Sequence, residues 1–88
     1  MERVAYFNGQ YLPESKVCVS FRDRGFILGD AVFDAERTFA GKIFRLKAHI
    51  DRLYQSLEKA RIDPGLSAAE MTEITHETVQ RNLALLGP

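Results

Sequence analysis

Ala31-Val32-Phe33-Asp34-Ala35-Glu36-Arg37-Thr38-Phe39 and, past a turn at Gly41-Lys42, Leu46-Lys47-Ala48-His49-Ile50-Asp51-Arg52-Leu53 decide the fold class, because the period of the sequence changes between them. The first stretch reads as a strand from Ala31 to Phe39. It would set Phe33, Ala35, Arg37 and Phe39 on one face and Val32, Asp34, Glu36 and Thr38 on the other. Gly41-Lys42 turns it back into Ile43-Phe44-Arg45, a hairpin. Then Leu46, Ile50, Leu53, Leu57 and Ala60 recur at steps of four, three, four and three, the stripe of an amphipathic helix that runs to about Ile62.

Upstream, Val4-Ala5-Tyr6-Phe7 leads through Asn8-Gly9 to Gln10-Tyr11-Leu12, the sequence form of another hairpin, since Asn-Gly accepts positive φ at both turn positions. Pro13 ends its second strand. Lys16 to Ser20 alternates as a strand does, Asp23-Arg24-Gly25 reads as a turn and Phe26 to Gly29 as a short helical turn. Downstream, Asp63-Pro64-Gly65 stops the first helix. Ser67 with Glu70 three residues on is a capping box, and the helix it opens carries Met71, Ile74, Thr75, Val79, Leu83 and Leu86 on a broad apolar face. Strands followed by helices on one side make an α+β layer, a small antiparallel sheet of hairpins packed with two helices. So few elements leave apolar surface uncovered, and another domain, chain or protomer is expected to complete the core.

Residues 1–88 form one small domain at most. A content of 45% apolar and 27% charged residues is that of a soluble globular protein rather than a disordered one. Lys+Arg and Asp+Glu balance at 12 each, so no general attraction to nucleic acid or an anionic membrane arises and any anion site must be local. No stretch reaches the about 20 successive apolar residues of a membrane span, and the N-terminus lacks the apolar core of a signal peptide. The cytoplasm is the default location. Cys18 is the one cysteine, read as a buried strand thiol, and with two separated histidines it offers no metal-ligand spacing.

Asp23-Arg24-Gly25-Phe26, Phe33-Asp34-Ala35-Glu36-Arg37 and His49-Ile50-Asp51-Arg52-Leu53, in that order and spacing, resemble the amino-terminal domain of the class IV (fold-type IV) pyridoxal-phosphate aminotransferases. That family includes branched-chain and D-amino acid aminotransferases, R-selective amine transaminases and aminodeoxychorismate lyase. The resemblance runs from about Tyr6 to Asp63. It implies that Arg52, the arginine of the His-x-x-Arg-Leu pattern, binds the cofactor phosphate, a role that suits a planar fork of donors charged at any working pH. Read from the helix alone, Arg52 is an ordinary surface arginine paired with Glu58 or Asp51. The resemblance also implies that Phe33 and Arg37 line the substrate pocket. Phe33 would give apolar contact and Arg37 would meet a substrate carboxylate, against a plainer reading as a core phenylalanine and a strand arginine paired with Glu36 or Asp34.

Where the family commonly has a tyrosine or histidine facing the partner subunit's pocket, this chain has Leu28, which implies a more apolar wall to which Phe26 adds. Asp30 is familiar in the D-amino acid and lyase branches, so the branch stays open. The family uses its Schiff-base lysine as proton shuttle, which leaves His49 a scaffold role near the helix start, and His76 is expected to face solvent. Lys16, Lys42, Lys47 and Lys59 occupy a strand, a hairpin turn and helix surfaces, none a desolvated pocket that would lower a lysine pKa. The Schiff-base lysine is therefore expected in a carboxy-terminal domain beyond Pro88, and residues 1–88 alone are expected to be inactive. The implied enzyme is a homodimeric transaminase using pyridoxal 5'-phosphate, with amino acid (branched-chain or D-amino acid type) or amine and 2-oxo acid substrates. The rival readings are an aminodeoxychorismate lyase and a non-catalytic binding or dimerisation module.

Overall fold

The computed structural model describes residues 2–86. It begins with a hairpin of β1 (Val4–Phe7) and β2 (Gln10–Pro13), followed by a 3-10 turn at Glu14–Lys16 and a short helix α1 (Arg24–Leu28). A smaller hairpin, β3 (Thr38–Phe39) with β4 (Lys42–Ile43), precedes the long helices α2 (Leu46–Ala60) and α3 (Ala68–Leu85). The fold is α+β as expected. In place of one sheet there are two separate antiparallel pairs, with registers running from Val4 opposite Pro13 to Phe7 opposite Gln10 and from Thr38 opposite Ile43 to Phe39 opposite Lys42.

The turns follow their local chemistry. Asn8 and Gly9 both take positive φ, 48° and 85°, the primed turn that matches strand twist. Ser67 accepts from the Glu70 amide at 3.1 Å while the Glu70 carboxylate accepts from the Ser67 amide at 3.0 Å, a complete capping box. At the other end of α1, Gly29 caps in the left-handed region at φ 69°.

Packing is concentrated on the helices. Ile50, 3% exposed, and Leu57 on α2 are the buried apolar residues among those described. The link between α3 and the first hairpin is polar. The Asn82 carboxamide accepts from the Val4 amide and donates to the Val4 carbonyl, both at 2.9 Å, so a side chain pairs with β1 as a neighbouring strand would. Tyr54 donates to the Leu66 carbonyl at 2.6 Å and fastens α2 to the connection ahead of α3.

Three expectations need correction. Lys16 to Ser20 is not a strand: Lys16 closes the 3-10 turn, residues 17–20 form no ladder, and Cys18 is exposed rather than a buried strand thiol. Nor is Ala31 to Phe39 a strand along its length, since only Thr38 and Phe39 pair. Burial still alternates along it, with Val32, Asp34 and Glu36 turned inward and Phe33, Ala35 and Arg37 outward. The period is therefore that of a strand. The missing ingredient is a hydrogen-bonded neighbour, which alternation cannot supply. Finally, Leu86 lies past the end of α3 and is exposed, outside the helical face assigned to it.

Candidate functional site

The cation that sequence singled out meets an acid from the other half of the deciding stretch. Two features of the backbone bring them together. The Phe44 amide donates to the Arg37 carbonyl at 2.8 Å, which ties the end of the extended run to the turn just before α2. On α2, His49 and Arg52 stand three residues apart, one turn along a single helix face. Asp34, inward in the alternation, lands between them.

The geometry is that of a clamp. Arg52 donates from Nε to Asp34 Oδ2 and from Nη2 to Asp34 Oδ1, each at 2.8 Å. His49 Nδ1 lies 2.9 Å from Asp34 Oδ1 and 3.0 Å from Arg52 Nη2. A protonated Nδ1 donates to the carboxylate, and an unprotonated one accepts from the guanidinium. The Asp34 side chain is 7% exposed and that of Arg52 is 61% exposed, so the acid is seated in the fold while the cation reaches the surface. Hydrogen bonds from Arg52 first, and then from His49, hold the Asp34 carboxyl well below the usual carboxylate range, and the same pairing with Asp34 raises the Arg52 pKa. Glu36, two residues along on the inward side, is pushed the opposite way by burial, with the Asp34 charge adding to the rise and His49 and His76 opposing it.

Neither surface partner expected for Arg52 holds it. Asp51 instead accepts from Lys47 at 2.7 Å along the helix, and Asp34 takes the guanidinium. Because the clamp uses Nε and Nη2, with His49 Nδ1 also beside Nη2, Nη1 remains with two donor hydrogens that make no hydrogen bond among the described residues. Sequence reasoning named Arg52 and treated His49 as scaffold, but it missed Asp34 as their common partner. The signal was present in an inward acid and a His-x-x-Arg turn, two halves that match only when brought together.

The residues expected to line a substrate pocket stand elsewhere. Phe33, Arg37 and Leu28 are exposed and make no hydrogen bond to the clamp; Phe33 is 86% exposed on the outward side of the same run whose inward side carries Asp34. Arg37 forms no ion pair among the described residues, so the pairing with Glu36 or Asp34 is absent. It lines, with Tyr6, Glu36, Ile43, Met71 and Thr75, an open depression of about 400 Å³ against α3. Leu28 closes α1 beside Phe26 and Ile27, all three exposed. Asp30 accepts from Arg24 Nε at 2.9 Å. His76 faces solvent, and the four lysines are all exposed. The described residues contain no cluster that could hold a metal ion and no helix long and apolar enough to cross a membrane.

The sequence pattern of the class IV amino-transferase family matches residues 31–84, the span that contains the extended run, the clamp and both long helices. The chain is 42% identical over 77 residues to a putative branched-chain-amino-acid aminotransferase of Methanocaldococcus jannaschii, covering 88% of this chain and 27% of that protein. It is 30% identical over 82 residues to a D-alanine aminotransferase of Staphylococcus aureus, covering 93% and 29%. A D-alanine aminotransferase of Staphylococcus haemolyticus is 27% identical over 88% of the chain and 27% of its own length. The chain thus spans under a third of the curated relatives it matches. It belongs to the class IV amino-transferase family.

Proposed function

We propose that this class IV amino-transferase chain is the phosphate-gripping part of a pyridoxal-phosphate transaminase that moves an amino group between an amino acid, of branched-chain or D-amino acid type, or an amine, and a 2-oxo acid. The observation that carries the reading is the free edge of Arg52. A guanidinium steadied on one side by a seated carboxylate leaves Nη1 with two N–H donors unengaged among the described residues, and donors on a fixed plane suit the oxygens of a phosphate. The donor chemistry therefore fits the cofactor's anionic end. Pyridoxal phosphate, when bound, supplies the electron sink of transamination.

The chain's own work is to bind and to wall. Arg52 grips the phosphate and stays charged at every working pH. Phe33 and Leu28 furnish apolar wall and Arg37 a cation for a substrate carboxylate, a reading supported by their exposure and by the absence of an ion pair at Arg37 among the described residues. The proton-transferring lysine is assigned to the remainder of the enzyme, since the four lysines here stand in solvent, and residues 1–88 alone are assigned no activity. A homodimer acting in the cytoplasm completes the proposal. The exposed Phe26, Ile27 and Leu28 support the dimer, and a lone cysteine agrees with a reducing compartment.

Arg52→Ala tests the reading in the full-length protein. Loss of charge-assisted hydrogen bonds worth about 1.5–3 kcal/mol should weaken pyridoxal phosphate binding by roughly tenfold to a hundredfold in an absorbance titration. A dissociation constant equal to that of wild type would leave Arg52 a surface residue.

A further inference from the structure

The clamp raises a question that the phosphate reading leaves open. Asp34 brings a negative charge against the cation meant to attract an anion, and on charge alone it should oppose phosphate binding. Against this stands geometry. An arginine on a helix surface is free to rotate about its side-chain bonds, a freedom that a ligand must remove when it freezes the side chain. Asp34 freezes it during folding through two hydrogen bonds of 2.8 Å to Nε and Nη2, the edge away from the free donors. The carboxylate can do so because it is itself immobile. It is 7% exposed, held by His49 Nδ1 at 2.9 Å and seated in a run that the Arg37–Phe44 hydrogen bond ties to the start of α2.

We infer that Asp34 is a positioning residue for the cofactor phosphate, fixing the plane of the Arg52 guanidinium so that the Nη1 donors are presented before the ligand arrives. The inference rests on the phosphate role of Arg52 and goes beyond it by assigning the orientation of that group to a residue 18 positions earlier in the chain. It also decides which of the two opposing effects of Asp34 wins. A side chain held in its binding geometry loses no further freedom when the anion lands, whereas the opposing charge is already compensated by the guanidinium it pairs with. His49 belongs to the same device from the other side, bracing the oxygen that Arg52 Nη2 also uses.

The test compares two ligands on the full-length apoprotein, pyridoxal phosphate and pyridoxal, which lacks the phosphate, with Asp34→Asn, Arg52→Ala and the double variant. Asp34→Asn keeps the side-chain shape and should raise the dissociation constant for pyridoxal phosphate about tenfold while leaving that for pyridoxal unchanged. In the Arg52→Ala background the same change should add nothing, because a residue that acts through Arg52 has nothing left to position. A packing role would weaken both ligands and would persist without Arg52, so that outcome overturns the inference. Tighter binding by Asp34→Asn overturns it too, by showing that the charge effect wins. Should Arg52→Ala leave the preference for the phosphorylated ligand intact, the phosphate reading itself falls and the inference falls with it. A preference lost in Arg52→Ala and kept in Asp34→Asn removes the inference alone. Melting of each apoprotein confirms that the comparison is made on folded protein, and Asp34→Ser stands in if Asp34→Asn does not fold.

Discussion

Residues 46–85 and residues 17–37 rest on different kinds of support. The first region is two helices whose ends, stripe and turn are all specified within a few residues: a capping box at Ser67 and Glu70, a stop at Asp63-Pro64-Gly65, and an apolar face that buries Ile50 and Leu57. The second contains one short helix and an extended run without a ladder partner, and it exposes Val19, Phe21, Phe26, Ile27, Leu28 and Phe33. Helical hydrogen bonds close within four residues, so a helix can form from local information; an extended segment meets its hydrogen-bonding needs only across space. The contrast identifies which region carries the buried core and which carries exposed apolar surface. The clamp joins them, with the Asp34 carboxylate of the second region held by His49 and Arg52 of the first.

Mutation can break this contrast at its strongest point. In the full-length protein, Ile50→Ala removes the most buried apolar side chain and should cost about 2–5 kcal/mol in chemical denaturation. A loss no larger than that of an exposed site would mean that the two helices do not carry the core. The next effect tests how the first hairpin is held. Asn82→Ala deletes the pair of 2.9 Å bonds to Val4 and leaves a backbone amide and carbonyl to find water, for an expected loss of roughly 1–3 kcal/mol by the same measurement.

Acid probes the clamp between the regions. The folded Asp34 pKa is depressed, so its stabilisation is present in full above the ordinary carboxylate value of about 3.9 and is lost as pH falls below that value toward the folded one. Stability followed from pH 5 downward should therefore fall more steeply, below about pH 4, in wild type than in Asp34→Asn. Parallel curves would show that the carboxylate is not held by its partners in solution. The smallest effect belongs to the exposed run. Phe33→Ser should change stability by no more than about 0.5 kcal/mol, since the phenyl ring is 86% exposed. A larger loss in the full-length protein would show that another surface covers Phe33 there, sharpening the distinction between core and interface.

Legibility in the sequence followed the same division. The first hairpin was readable from Asn8-Gly9 and the second helix from Ser67 and Glu70, because each signal lies within one turn of chain. Cys18 was misplaced and the strand through Ala31 to Phe39 overextended, because alternation reports which side of an extended backbone faces inward and says nothing of a neighbour to pair with. The pocket residues divided likewise. That Phe33 and Arg37 share a side of the chain was readable, whereas their exposure was not.

By itself, then, the sequence determined the α+β class, the presence of the two long helices and the Asn8-Gly9 turn, all consequences of interactions closing within a few residues. Only tertiary structure decided that Asp34 rather than Asp51 or Glu58 holds Arg52, and that Asn82 serves as a strand for Val4. The physical reason is distance along the chain. A local preference is a property of neighbouring residues, but the choice among acids for one guanidinium depends on which carboxylate the backbone delivers to 2.8 Å in a seated place, and here that delivery spans 18 residues and a hairpin.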